Sequence, residues 1–294
     1  MLNCYLCSCR RLRISSSGRR RRSGPVPRWR VGIVWCVLML VVEARAIAVE
    51  PQYLIGIAVG LEQTVYLADR KWPGIFVQRE GKLEPYYVGS KKIGSPLNAV
   101  RCLAIDREGK LLAGDSATRE VYRFDENAQP VPLTKGGIGI PMSIGVNKAG
   151  DLLVADLELH RLWKVPSAGG KPELFAEIPA PRGLFIDADD RVWVVSHGKD
   201  QLLRLTADGK ERQIVVPGRP FEFPSAVVVD DAGTAFVCDT YAKAVWRVEA
   251  EKKPENLPSA TALITPVAIA WQKPSILLIV DSRQKEIIKL NVAE

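Results

Sequence analysis

Histidine and cysteine are scarce in this chain of 294 residues, and their scarcity excludes several kinds of site. Two histidines are present, so a zinc site with three histidine ligands is impossible. Four of the six cysteines precede residue 47, which leaves Cys102 and Cys238 in the rest of the chain. Two isolated thiols cannot form the disulfide framework of a small secreted scaffold. We expect both to be buried as small apolar side chains.

Familiar catalytic motifs are also missing. The sequence has no G-x-S-x-G nucleophile motif, no H-E-x-x-H zinc motif and no phosphate-binding loop. A glycine-rich stretch at residues 136–139 precedes a proline and a strand rather than a helix, so it reads as a loop. The signatures of hydrolases, zinc proteases and nucleotide-binding enzymes are therefore not present.

The charge of the chain is concentrated in one segment. The formal net charge is +8, but residues 1–46 contain ten arginines and a single acid, Glu43. The remaining 248 residues carry 31 basic and 32 acidic side chains, a balance of −1. A near-neutral body gives no reason to expect phosphate-backbone contacts. We therefore predict no nucleic-acid partner.

The first 46 residues have the pattern of a secretory signal peptide. A basic segment is followed by twelve apolar residues, Val31–Val42, and then by the small-residue motif Ala44-Arg45-Ala46. A membrane-spanning helix needs about 20 apolar residues, which this run does not reach. We predict an exported protein, periplasmic or secreted, with no membrane contact after cleavage. The alternative is an uncleaved leader that anchors the chain.

Beyond the leader, one sequence pattern recurs six times. A short apolar run ends on Asp or Ser, and a second apolar run begins six residues later, while successive copies lie 40 to 46 residues apart. A repeat of this period is the signature of a repeat architecture. The first run of each copy ends at Asp69, Asp115, Asp156, Ser196, Asp239 and Asp281.

Within each copy the pattern indicates strands only. Short runs rich in β-branched and aromatic residues are bounded by Gly, Pro, Asp and Asn. Four strands in about 40 to 45 residues form one blade of a β-propeller. We predict an all-β, monomeric, six-bladed propeller over residues 47–294, with four antiparallel strands per blade. Blades should start near residues 51, 96, 141, 181, 224 and 266, mostly at a proline such as Pro96 or Pro181.

The two ends of the repeat region suggest how the ring closes. The sixth copy reaches residue 294 after its third strand, so a fourth strand is not found there. The segment Ile47–Val49 follows the predicted cleavage site and is available to supply it. We predict that this N-terminal strand pairs with the last blade and closes the ring.

The repeat resembles the NHL repeat, a six-bladed propeller unit. The third copy is the most similar, running from Asn147 through Gly150, Asp156 and His160 to Val165. This resemblance implies a propeller fold and is compatible with binding modules and with enzymes. The same architecture is found in the senescence-marker/gluconolactonase family, whose resemblance implies a divalent cation, such as Ca²⁺, held by oxygen ligands. Here Asn98, Asp115 and Asp239 could supply those ligands.

The recurring aspartates are most simply turn residues that accept bonds from backbone amides. Residues that break the repeat are better candidates for function. We expect them to line a polar pocket on the rim of the channel: Asn98, Arg182, Ser196, His197, Ser225 and Tyr241. The first hypothesis is an exported module that binds a small molecule or protein at this rim, without a cofactor or catalysis. The alternative is a metal-dependent lactonase of the gluconolactonase type.

The ring-closing strand can be tested by deletion. Removing residues 47–52 should lower the melting temperature by several degrees, because the last blade loses an edge strand and its backbone hydrogen bonds. Differential scanning calorimetry of the deleted and intact chains measures the effect. An unchanged melting temperature would show that these residues do not close the ring.

Overall fold

The computed structural model of the chain describes residues 49–272 and 274–292. The predicted signal peptide lies outside these residues, as do Ile47 and Ala48 of the predicted closing strand. Over the described ranges the only helical element is a 3-10 turn at Leu61–Gln63. None of the described segments forms a helix long and apolar enough to span a bilayer.

In the described residues, twenty-three strands make six antiparallel sheets, so the predicted six-bladed β-propeller is confirmed. The first three blades are β1 (Leu54–Val59), β2 (Val65–Asp69), β3 (Gly74–Arg79) and β4 (Lys82–Val88); β5 (Val100–Ile105), β6 (Leu111–Asp115), β7 (Glu120–Phe124) and β8 (Pro130–Pro132); and β9 (Pro141–Val146), β10 (Leu152–Asp156), β11 (Arg161–Val165) and β12 (Glu173–Glu177). The last three are β13 (Pro181–Ile186), β14 (Val192–Ser196), β15 (Leu202–Leu205) and β16 (Arg212–Val216); β17 (Pro224–Val229), β18 (Ala235–Asp239), β19 (Ala244–Val248) and β20 (Glu255–Asn256); and β21 (Pro266–Gln272), β22 (Ile276–Asp281) and β23 (Glu286–Asn291). Strands pair in sequence order within every sheet.

The repeated sequence pattern forms the second and third strands of each blade. The second strands are buried along almost their whole length because both of their faces pack against neighbouring blades. Six clusters of apolar side chains result, one at each junction between blades. The cluster that joins the last blade to the first packs Leu54 and Leu67 against Leu278 and Val280. No blade could bury these faces alone, so the ring is the folding unit.

The connections between strands fall on two faces of the ring. The second strand of each blade ends on one face, where the loops from second to third strands and from fourth strands to the next blade also lie. We call this the aspartate face, because Asp69, Asp115, Asp156, Asp239 and Asp281 lie there. Loops from first to second and from third to fourth strands form the opposite face.

Each of these aspartates joins three pieces of its blade. The carboxylate of Asp156 accepts hydrogen bonds from the amides of Gly139 and Ile140, just before the first strand. It also accepts from the amides of Glu158 and Leu159, in the loop to the third strand. The other four make the same pair of contacts. The predicted role as amide acceptors is confirmed, and the bonds to the first strand extend it.

At Asp281 the same kind of bond lowers the pKa of the carboxyl. Burial alone would raise the pKa of Asp281, but hydrogen bonds from the amides of Thr265, Ile264 and Gln284 outweigh it and lower the pKa below its usual value. A carboxyl with a depressed folded-state pKa stabilises the fold above its unfolded-state pKa. That contribution is lost as the pH falls through the folded-state value, so the stabilisation that Asp281 provides should weaken only in acid.

Both cysteines of the described chain are buried and unpaired, as predicted. Burial raises the pKa of Cys102 to about 12, and it does the same for Cys238. A thiol with such a pKa carries almost no thiolate at neutral pH, so neither side chain is a nucleophile.

One strand start differs from the sequence prediction. Prolines open the first strands of blades 3 to 6, at Pro141, Pro181, Pro224 and Pro266, but the first strand of blade 2 begins at Val100 rather than at Pro96. Residues 89–99 instead form a longer connection, whose Leu97 is fully buried against the blade. The proline was therefore a misleading alignment point in this blade.

Ring closure by an added strand stays a prediction, because two of its three residues lie outside the described ranges. The described part of the last blade has three strands. Val49 packs against the cluster that joins the last and first blades. The Ser282 hydroxyl donates to the carbonyl of Leu54 across the same junction, at 2.5 Å.

The rim carboxylates can be tested at Asp156. Replacing it with Ala leaves four loop amides and the Trp163 indole N–H without their acceptor, since Nε1 of Trp163 also donates to this carboxylate at 2.9 Å. We expect the free energy of unfolding to fall by about 3 kcal/mol or more. Chemical denaturation measures it. The matched control is Asp125→Ala on the opposite face, which removes two exposed turn bonds and should cost less than about 1 kcal/mol. Equal losses in both variants would contradict the rim's role.

Candidate functional site

The mouth of the central channel is formed by one residue from each blade. In every first strand a β-bulge leaves the second residue without a partner on the neighbouring strand. All six bulge residues line a channel cavity of about 290 Å³: Ile55, Arg101, Met142, Arg182, Ser225 and Val267. Four of these side chains are apolar or a single hydroxyl. The other two are arginines.

The arginine pair is the main electrostatic feature of the channel. Nε of Arg101 donates to the hydroxyl of Ser116 at 3.0 Å. The Arg182 guanidinium lies over the ring of Phe223, 5.2 Å from its centroid. Its Nε atom is buried and has no hydrogen-bond partner in the described part of the chain. Neither arginine forms an ion pair with a carboxylate in that part.

The surroundings of both arginines lower their pKa values. Burial lowers the pKa of Arg182, and the positive charge of Arg101 lowers it further. Burial likewise lowers the pKa of Arg101, with a second contribution from Arg70. A guanidinium stays charged at any physiological pH. The channel mouth therefore holds two half-buried positive charges that repel one another.

Aromatic side chains cluster beside Arg182. The imidazole of His197 and the ring of Phe223 form a T-shaped pair with 4.2 Å between centroids. Tyr241 stacks on Phe223 at 4.5 Å, and 64% of Tyr241 is exposed. Phe223 thus links a cation, an imidazole and an accessible aromatic face.

His197 also has a structural role. Its Nε2 lies 2.9 Å from the carbonyl of Pro224, at the start of the next blade. Thr240 and Ser282 follow the rim residue in the next two blades and donate in the same way, to the carbonyls of Pro266 and Leu54. Burial lowers the pKa of His197, and the nearby charge of Arg182 adds to this effect. A neutral imidazole that donates from Nε2 leaves Nδ1 as an acceptor.

The structure brings together four of the six predicted rim residues. Arg182, His197 and Tyr241 surround Phe223, and Ser225 lies on the same channel, where its hydroxyl donates to the carbonyl of Cys238. Ser196 is fully buried in its own loop. Its hydroxyl accepts from the amide of Gly198 and donates to the carbonyl of Pro179, replacing the carboxylate of other blades.

Asn98 does not join this group. Its side-chain amide donates to the carbonyl of Lys92, within the same connecting loop. The residue of blade 2 that corresponds to Arg182 and Ser225 is Arg101, because all three occupy the bulge. Aligning blades on Pro96 placed this position too early. Sequence reasoning therefore missed Arg101 and Phe223, although matching the apolar runs of the first strands would have found Arg101.

The proposed oxygen ligands of a divalent cation are occupied. Asp115 accepts from the amides of Ala99 and Ala117 and from the hydroxyl of Thr118. The carboxylate of Asp239, in blade 5, accepts hydrogen bonds from backbone amides and from an indole N–H. Over the described residues, no group of three or more His, Cys, Asp and Glu side chains is placed to hold a metal ion. These donors do not fit the ion, so we derive no metal-dependent step.

Solved structures of diverse function share this fold. A gluconolactonase from Xanthomonas campestris aligns with 82% of this chain and 86% of its own, with a TM-score of 0.70 and 16% identity. A virginiamycin B lyase from Staphylococcus aureus aligns with 83% and 85%, at 0.63 and 16%. A chain of a nidogen/laminin complex aligns with 82% and 89%, at 0.64 and 14%. No protein-family model and no curated protein sequence matches the chain. Such low identities show a shared propeller fold alone.

The repulsion between the arginines predicts an unusual mutational result. In a buffer without polyvalent anions, Arg182→Met should raise the free energy of unfolding by about 0.5 to 1 kcal/mol, because the thioether keeps contact with Phe223 and the unpaired charge is gone. Thermal and chemical denaturation measure the change.

A matched control is Arg204→Met on the outer part of blade 4. Arg204 also lies over an aromatic ring, Trp193, at 5.1 Å, but it is hydrogen-bonded to Gln213. Its replacement should leave stability unchanged or lower it slightly. A loss of stability in Arg182→Met larger than in Arg204→Met would contradict the assignment of Arg182 as a strained, unpaired charge.

Proposed function

We propose that this propeller is an exported binding module that takes a small anionic ligand at the mouth of its central channel, without catalysis. The observation that carries the proposal is that Arg101 and Arg182 both line the channel and that neither forms an ion pair with a carboxylate in the described residues. The aromatic rings of Phe223 and Tyr241 lie beside Arg182.

Charge compensation supports an anion. A partly buried charge without a partner costs free energy, and a structure retains it where a ligand offsets the cost. The buried Nε of Arg182 lacks an acceptor, and an oxygen of a bound anion would provide one. Two guanidinium groups suit a carboxylate or phosphate, whose oxygens accept paired N–H bonds.

The size of the cavity limits the ligand. A volume of about 290 Å³ lies at the lower end of the range for small-molecule pockets. The ligand is therefore small, or it inserts only its anionic end. Tyr241 is exposed at the side of the mouth and would contact the part that projects outward.

The lactonase alternative draws support from the gluconolactonases among the structural neighbours. It needs oxygen ligands that can turn toward a cation, whereas Asp115 and Asp239 are held by their own blades. Two arginines on the channel also oppose a divalent cation there. The nidogen/laminin chain belongs to a complex, and it supports the view that such propellers can serve as binding modules.

Anion binding can be measured by thermal melting. Sodium phosphate and sodium malonate are titrated separately at an ionic strength held constant with sodium chloride. A ligand at one hundred times its Kd adds about 2.7 kcal/mol to the free energy of unfolding, which raises the melting temperature by about 5 to 10 °C in a domain of this size. We expect a saturable rise with at least one of these anions, lost in Arg101→Met and Arg182→Met and retained in Arg204→Met.

Two outcomes would overturn this proposal. One is a response to both anions no larger than the response to chloride. The other is an equal response in wild type and in the two channel variants, since the anion would then bind elsewhere. Saturable stabilisation by Ca²⁺ together with hydrolysis of a chromogenic lactone would establish the lactonase alternative.

A further inference from the structure

The charged side chains of the connecting loops are segregated between the two faces of the propeller. In the described residues, the interstrand connections of the aspartate face contain eleven basic and three acidic residues. Those of the opposite face contain eight basic and sixteen acidic residues. The near-neutral sum of the body therefore hides a charge of +8 in one set of loops and −8 in the other.

The basic side chains of the aspartate face are largely available. All eleven are exposed. Arg119 pairs with Glu158 at 2.7 Å, whereas Lys91, Lys92 and Lys199 form no ion pair with any described residue. Ion pairs such as Arg191–Asp187 and Lys164–Asp151 lie at the opposite face instead.

Exposed apolar side chains stand among these basic residues. Ile93 is fully exposed in the loop that contains Lys91 and Lys92. Leu159, Tyr241 and Ile264 lie in other loops of the same face and are 42%, 64% and 38% exposed. Among the described connections of the opposite face, the one large apolar residue exposed to this degree is Leu61.

We propose that the aspartate face docks on the surface of an anionic lipid bilayer. Lysine and arginine side chains near such a surface attract its negative headgroups. The protruding apolar side chains would enter the boundary between headgroups and acyl chains, as in other peripheral membrane proteins. A nucleic acid or an acidic polysaccharide would use the same positive charge, but it offers no apolar layer for Ile93. The combination of charge and aliphatic tips therefore favours lipid.

The first described residues of the chain lie on the face that is proposed to dock. The described chain enters the propeller on the aspartate face, where the amides of Gln52 and Tyr53 donate to Asp69. The expectation of no membrane contact rested on cleavage of the leader, and the near-neutral net charge of the body averages two sets of loops of opposite sign. The outer loops carry this docking surface, so it does not depend on the channel arginines.

The test uses the full chain and vesicles of phosphatidylglycerol and phosphatidylcholine in a 1:3 ratio, with pure phosphatidylcholine as the neutral comparison. Partition coefficients are measured by sedimentation. Lys91→Glu/Lys92→Glu should lower partitioning onto the anionic vesicles at least tenfold. Lys252→Glu/Lys253→Glu makes the same change of net charge on the opposite face and should lower it less than twofold. The basic leader is the same in all variants, so the difference between the two lysine variants reports which face meets the vesicle.

A third variant separates lipid from other polyanions. Ile93→Ser should lower partitioning onto anionic vesicles about fivefold and leave binding to heparin and to duplex DNA unchanged. Unaltered melting temperatures exclude unfolding as the cause. Equal losses in the two lysine variants would overturn the proposal, because net charge alone would then explain binding. Unchanged vesicle partitioning in Ile93→Ser would overturn it as well and point to a soluble polyanion.

Discussion

In five of the six blades of this propeller, hydrogen bonds between a buried rim carboxylate and backbone amides hold the rim in place, and in blade 4 the hydroxyl of Ser196 takes that position. Each carboxylate ties the end of the second strand to its own loop and to the residues just before the first strand. Directly beyond this attachment the first strand bulges and aims one side chain at the channel. The acidic residues that could suggest a cation site are therefore scaffold. In blade 2 the attachment made by Asp115 directly precedes Arg101, and in blade 4 Ser196 takes this place before Arg182; both arginines line the channel.

Fold and site were accessible from sequence to different degrees, for physical reasons. A sequence pattern of fixed length predicted the second and third strands, because burial of both faces of these strands requires the same apolar pattern in every copy. The start of a first strand is less constrained, and starting blade 2 at Pro96 rather than at Val100 led to the choice of Asn98 and the omission of Arg101. Phe223 could not be found from the repeat, since its importance depends on contacts with His197, Tyr241 and Arg182 that come from two blades.

The distribution of charge between the two faces was also missed when only the sequence was considered. Net charge is a sum over the chain, whereas a partner meets one face. Successive loops of a blade lie alternately on its two ends. The loops at one end are mainly basic and those at the other mainly acidic, so charges of both signs follow one another along the sequence. The channel arginines lie at the centre of the basic face. Under the proposed function, an approaching anion would be attracted first by the basic loops and then by the two guanidinium groups.

The central claim is that Arg101 and Arg182 together bind an anion. Crystals soaked with selenate, a phosphate-sized anion with a strong anomalous signal, would locate such an ion directly. The account predicts an anomalous peak on the channel axis within hydrogen-bond distance of both guanidinium groups, including Nε of Arg182. Peaks confined to the lysine-rich loops, with none between the two arginines, would contradict it.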